Sequence, residues 1–186
     1  MKKVLLGILL ATGIAGAAAA APVYPVGVVP GSINQPGPVD LDRSDPTAMW
    51  DGDFSTFYSL GLGGSIILDF GRLVTSPGTV TEVTFRLAGY VEKLRILVST
   101  SPDSGFVQVA TVENDEAQAP GGATLTFTSD PFRYVKLVDF SPVRPGRDGF
   151  DVAEISFSPV PVPAAGLLLG GALLGFGALR RRAKKA

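Results

Sequence analysis

The sequence predicts an all-β domain, an antiparallel β-sandwich or jelly roll, set between an N-terminal signal peptide and one C-terminal transmembrane helix. Three observations carry this. Short apolar runs alternate with a period of two and are separated by turn residues. The chain has no cysteine, and its 23 glycines and 15 prolines punctuate it too often for long soluble helices. Apolar segments flanked by cations close both ends.

Lys2-Lys3 form a positive start, Val4 to Ala15 an apolar run and Ala17 to Ala21 a small-residue cleavage zone. Residues 1–20 are therefore expected to be a signal peptide, cut after Ala20, since a cut after Ala21 would leave Pro22 directly behind it. No cysteine follows, which excludes a lipid-anchored lipoprotein. Residues 21–39 form a proline- and glycine-rich leader with room for one edge strand.

The folded domain is expected over 40–158. Asp45-Pro46-Thr47-Ala48 suits a single helical turn, with Pro at its first position. Ile66 to Phe70 reads as a strand ended by Gly71. From Thr81 to Leu87, Val83, Phe85 and Leu87 are expected on one face and Glu82, Thr84 and Arg86 on the other. Leu94, Ile96 and Val98 repeat the pattern; then come Val107 with Val109, Leu125 with Phe127, Tyr134 to Phe140, and Ala153-Ile155-Phe157. Ser101-Pro102-Asp103-Ser104-Gly105 supplies a tight connection between two of them. Seven or eight such strands fit a sandwich.

The chain then breaks at 159–165, where Val160-Pro161-Val162-Pro163-Ala164 stands. Residues 166–179 are apolar, and 180–186 hold Arg180, Arg181, Arg182, Lys184 and Lys185. Fourteen helical residues reach about 21 Å, less than the roughly 30 Å hydrocarbon core, so the span is short. Snorkelling arginines and flanking alanines lengthen it. The cationic stop stays cytoplasmic and leaves the upstream domain outside.

This three-part tail resembles the bacterial PEP-CTERM sorting signals, in the Val-Pro-Leu-Pro-Ala variant, with Val162 where leucine is usual. The resemblance implies recognition by an exosortase, an integral-membrane protease. It also implies export through the inner membrane of a Gram-negative-type bacterium, transient anchoring, and release to the cell surface or an exopolysaccharide matrix. A permanent membrane anchor is the alternative reading of the same residues.

Charge is segregated. The chain carries 16 basic and 17 acidic residues, a net charge of -1. Seven basic residues lie in the terminal segments and every acidic one lies between them, so the exported domain has a net charge of -8. That balance excludes nucleic acid as a partner. It suits solubility outside the cell or the binding of hard cations. With neither cysteine nor histidine, thiol nucleophiles, histidine-based triads and ordinary zinc sites are excluded. No nucleophile–base–orienter set is visible and the carboxylate pair Asp115-Glu116 sits in a polar loop, so no enzyme activity is expected.

Asp51-Gly52-Asp53-Phe54-Ser55-Thr56, then Ile66-Ile67-Leu68-Asp69-Phe70-Gly71, resembles the opening of discoidin (coagulation-factor C-type) domains. Val80-Thr81-Glu82-Val83, Leu94 to Ser99, Phe132 to Leu137 and Val152-Ala153-Glu154-Ile155 follow in fitting order, while Phe57-Tyr58 replace a usual tryptophan. The resemblance spans about residues 40–157 and implies a galactose-binding-like jelly roll. It further implies a structural calcium held by the carboxylates of Asp51 and Glu154, the backbone oxygens of Ala48, Asp53 and Ala153, and Thr56. The same acidic turn also reads as a solvated one, with Asp51 capping backbone amides.

Sandwiches bind through loops at one end, with aromatic platforms and a few polar groups. Trp50, Phe57, Tyr58, Tyr90, Arg144 and Arg147 stand near expected loops and are the candidate ligand residues; core packing is the competing reading of Trp50 and solvated charge that of the arginines. Two functions follow: a lectin-like module that binds glycan, the cell's own exopolysaccharide included, or a structural matrix protein without a ligand site.

Overall fold

A computed structural model describes residues 20–83, 89–114 and 123–161. The strands are β1 Gly27–Val28, β2 Tyr58–Ser59, β3 Ser65–Glu82, β4 Glu92–Ser99, β5 Val107–Asn114, β6 Ala123–Leu125, β7 Phe132–Asp139 and β8 Asp151–Pro159. All pair antiparallel, in the order β2-β8-β3-β7-β4-β5, with β1 and β6 also against β3. Two 3₁₀ turns, Leu41–Arg43 and Pro46–Met49, precede β2. The second is the helical turn expected there, with the Asp45 carboxylate accepting from Thr47 N at 2.9 Å.

β3 turns a corner. Ser65 to Asp69 pair with β7, whereas Val74 to Glu82 pair with β8, and Val74 meets both neighbours. Between the limbs Gly71 takes φ 68°, in the left-handed region that glycine enters without strain. Because the 140–150 connection joins the end of β7 to the start of β8, this corner lies at the opposite end of the sandwich from that connection. The loop end therefore holds β2, the end of β3, the start of β4 and the 140–150 connection. The terminal end holds the β3 corner, the 100–106 turn and the segment before β7. Val23 N donates to Phe157 O at 2.8 Å and Phe157 N to Val23 O at 3.0 Å, so the domain's entry and exit also lie at the terminal end.

Alternating residues fill one core: Ile66, Leu68 and Phe70 from β3, Leu94 and Ile96 from β4, Val135 and Leu137 from β7, Ile155 and Phe157 from β8. Phe157 meets Phe70 and Phe132 edge to face, with ring centroids 5.4 and 5.1 Å apart. Each such ring contributes roughly 1.5–3 kcal/mol by burial.

The leader is knitted into the sheet: β1 pairs with β3, and Asn34 bridges Ser65. Of the alternation expected from Thr81 to Leu87, residues 84–87 lie outside the described residues, and within the rest it is Glu82 that is buried. The limb starts at Val74 rather than Thr81, and inward Gly78 and Val80 set the parity that Glu82 continues. Phe127 lies beyond β6 and packs its ring on Phe132 and Phe157. The signal peptide and the transmembrane segment expected from sequence fall on residues 1–19 and 162–186, with Val162, Pro163, Ala164 and Arg180 to Arg182, and lie outside the described residues. Of the proline motif, half-buried Val160 and exposed Pro161 are described. Among the described residues no helix is long and apolar enough to cross a membrane.

Candidate functional site

Asp139, at the end of β7, organises the loop end. Its buried carboxylate accepts from Gly63 N at 2.7 Å, Phe150 N at 3.0 Å, Ser141 N at 3.3 Å and the Ser141 hydroxyl. Ser141 Oγ in turn accepts from Lys93 N at 2.9 Å. Both ends of the 140–150 connection are thereby fastened to β4 and to the 61–64 turn. Gly149 makes the close approach possible: it takes φ 87°, and a Cβ there would stand 2.7 Å from the Gly61 backbone. Asp148 forms a 2.9 Å ion pair with Arg43 and accepts the Ser59 hydroxyl on its carbonyl, also at 2.9 Å.

This clamped connection carries Arg144 and Arg147 to Tyr90. Their guanidinium carbons lie 5.9 and 5.4 Å from the Tyr90 ring centroid, within cation–π range. The Tyr90 hydroxyl donates to Pro142 O at 2.9 Å. Burial, with the negative charges of Glu92 and Asp139, pushes its pKa up to about 12, so it remains a neutral donor. The arrangement holds two guanidinium groups against one fixed ring, with Arg147 also facing Glu92.

Beneath it lie carboxyls that the sequence reading did not single out as a site. Glu82, Glu92 and Asp151 are buried. Burial raises all three; Glu82 also donates to Glu92, which holds Glu82 further up and opposes the rise of its partner. Asp151 reaches about 8, with Ser59 opposing and Asp148 and Glu92 adding to the rise. Glu82 Oε1 and Asp151 Oδ1 have no hydrogen-bond partner. The sequence signal for Glu82, Glu92 and Asp139 is parity: Glu82 continues Val80, Glu92 precedes Leu94 and Ile96, and Asp139 follows Val135 and Leu137 on inward positions.

No family model matches the chain, and no curated protein is similar to it in sequence. Solved structures are similar. The carbohydrate-binding module 32 of AlyQ, in complex with 4,5-unsaturated mannuronic acid, superposes with a TM-score of 0.54 at 18% identity, over 74% of this chain and 97% of that one. A pectin-binding carbohydrate-binding module gives 0.54 at 20% identity, over 73% and 94%. The C-terminal domain of a chitobiase from Bacteroides fragilis gives 0.56 at 15%, over 76% and 99%. The fold is the antiparallel jelly roll that these domains share. The first two relatives are binding modules rather than catalytic domains, and the third is part of an enzyme.

Of the ligand residues expected from sequence, the jelly roll brings Tyr90, Arg144 and Arg147 together and separates the rest. Tyr58 is a correction: it is fully buried, because β2 pairs it with Val152, and burial pushes its hydroxyl up to about 12. It forms no surface platform. Trp50 is half-buried and packs against the core, and Arg43 stands 5.3 Å over the Phe57 ring.

The acidic turn closes on itself. Asp51 accepts from Asp53 N at 2.8 Å and from the Thr56 hydroxyl at 2.7 Å, and Asp53 accepts from the Ser55 amide and hydroxyl. The Ser55 hydrogen bonds hold the Asp53 carboxyl below its ordinary value. The 3₁₀ turn bearing Ala48 packs against β8, the strand of Ala153 and Glu154, so the elements of the expected calcium set adjoin. Among the described residues no group of three or more acidic side chains converges as a cation cage. An ion held here would depend on neutral backbone oxygens with Asp51 and Glu154, a donor chemistry that fits calcium. Burial raises the Glu154 carboxyl, a cost that a cation would offset.

Proposed function

We propose that this is a glycan-binding module, exported to the cell surface or an exopolysaccharide matrix, that takes acidic polysaccharide at the loop end. The convergence of Arg144 and Arg147 on Tyr90 carries the reading, because paired guanidinium groups suit carboxylated sugars. The mannuronate-bound and pectin-binding relatives support the same ligand class. Delivery by an exosortase, and transient residence in the inner membrane, rest on the two terminal segments of the sequence.

A glycan array probed with the full chain in detergent is expected to retain uronate polymers. Arg147→Ala should weaken that retention by about fivefold to tenfold, the value of one ordinary net hydrogen bond of about 1 kcal/mol at an accessible surface. Uniform absence of binding by folded protein would overturn the reading and favour a structural matrix protein.

Calcium at Asp51, Asp53, Thr56, Glu154, Ala48 and Ala153 belongs to this proposal as a stabiliser of the turn. Chelation should then lower Tm by several degrees, at roughly 2–4 °C per kcal/mol of binding energy lost. An unchanged melting curve would mean that the internal hydrogen bonds of the turn suffice.

A further inference from the structure

The terminal end of the jelly roll has a concavity of its own. The 100–106 turn and the segment before β7 enclose a cavity of about 640 Å³, in the range of small-ligand sites. β4 runs from Glu92 at the loop end to Ser99 in this cavity, eight residues, a span of roughly 23 Å. A ligand here is therefore clear of Tyr90.

One wall is fixed in advance. Ser99 Oγ donates to Ser104 O at 2.7 Å and accepts from Ser101 N at 3.0 Å, which locks the 100–106 turn. The other wall carries Thr128, Ser129 and Asp130, and exposed Val107 supplies an apolar floor in front of buried Val98 and Phe132. Ser129 Oγ, in this wall, is buried and has no hydrogen-bond partner, which leaves its bonding capacity unused. The described lining contains the Asp130 carboxylate and no lysine or arginine. Hydroxyl donors and acceptors over an apolar floor match the hydroxyls and C–H face of a sugar. The carboxylate disfavours a uronate and tolerates an uncharged or amino sugar.

We infer that this groove is a second saccharide site, for a neutral or amino-sugar segment, so that one domain bridges two polysaccharide chains of different charge. The inference rests on the reading of the domain as a glycan-binding module. Its distinguishing content is the location and the ligand charge.

The test is an amide-shift titration of the isotope-labelled full chain in detergent, with trimers of N-acetylglucosamine, glucosamine and mannuronate in separate arms. At least one of the first two should shift Ser99, Gly105, Gln108 and Ser129, and which one does so separates the neutral from the amino sugar. Mannuronate should shift Tyr90 and Arg147. Ser104→Trp, at an exposed position of the groove wall, should weaken the first response by roughly tenfold or more and leave the second intact. Binding of mannuronate alone, or a neutral-sugar response indifferent to Ser104→Trp, would overturn the second site and leave the module reading standing. Silence in all three arms would overturn both.

Discussion

Asp139→Ala is expected to cost about 3–5 kcal/mol of folding stability, because it strands buried donors rather than merely removing a contact. The carboxylate serves Gly63 N, Phe150 N and both polar groups of Ser141, and the site is too enclosed for bulk water to replace it. Denaturant unfolding should show a lower midpoint at a nearly unchanged slope. Acidic-glycan binding should fall further than the loss of folded protein explains, because the connection carrying Arg144 and Arg147 loses its fastening. Asp139→Asn, which keeps one acceptor oxygen, should recover part of both losses. A cost below about 1 kcal/mol would show that the loop end is held by other means.

Stability should fall as pH rises from about 4 to about 8, and Asp151→Asn should remove much of that fall. The Asp151 carboxyl has a folded value of about 8 against 3.8 in the open chain, first because it is buried and then because Asp148 and Glu92 face it, with Ser59 and Arg43 opposing. A group raised in the folded state contributes its stability in full below the lower value and loses it as pH climbs to the upper one. The shift corresponds to about 6 kcal/mol between those limits, as an order of magnitude. Glu82 and Glu92 add a dependence of the same sign, since burial raises both. Melting curves of the two proteins should therefore coincide near pH 4 and separate towards pH 8, with the asparagine variant the more stable. Parallel curves across that range would contradict the assignment.

Period-two alternation made most strands legible, since Leu94, Ile96 and Val98, or Ile155 and Phe157, have one way to face a core. The 3₁₀ turn at Pro46 was legible from its cap and proline. The corner of β3 was not: Gly71-Arg72-Leu73 reads as the end of a strand, and only long-range pairing with β7 and then β8 shows the chain continuing. Tyr58 misled because it follows a polar turn, while its burial comes from Val152, far along the chain. Tyr90, Arg144 and Arg147 were legible as candidates, but their meeting depends on a fold that closes a separation of 52 residues between Tyr90 and Pro142. The inward acids were overlooked because carboxylates at strand ends resemble ordinary turn residues. Their parity with Val80, Leu94 and Leu137 carried the contrary signal.

In the proposed function the loop end binds acidic polysaccharide through its paired arginines. Calorimetric titration of the full chain in detergent with a mannuronate oligosaccharide, at low and high salt, tests it most directly. Binding should weaken with salt and fall by roughly tenfold or more in the Arg144→Ala, Arg147→Ala double variant, which should stay folded and lose only a few degrees of melting temperature with its cation–π contacts. Equal affinity in the double variant, or no heat of binding from folded wild-type protein, would contradict it.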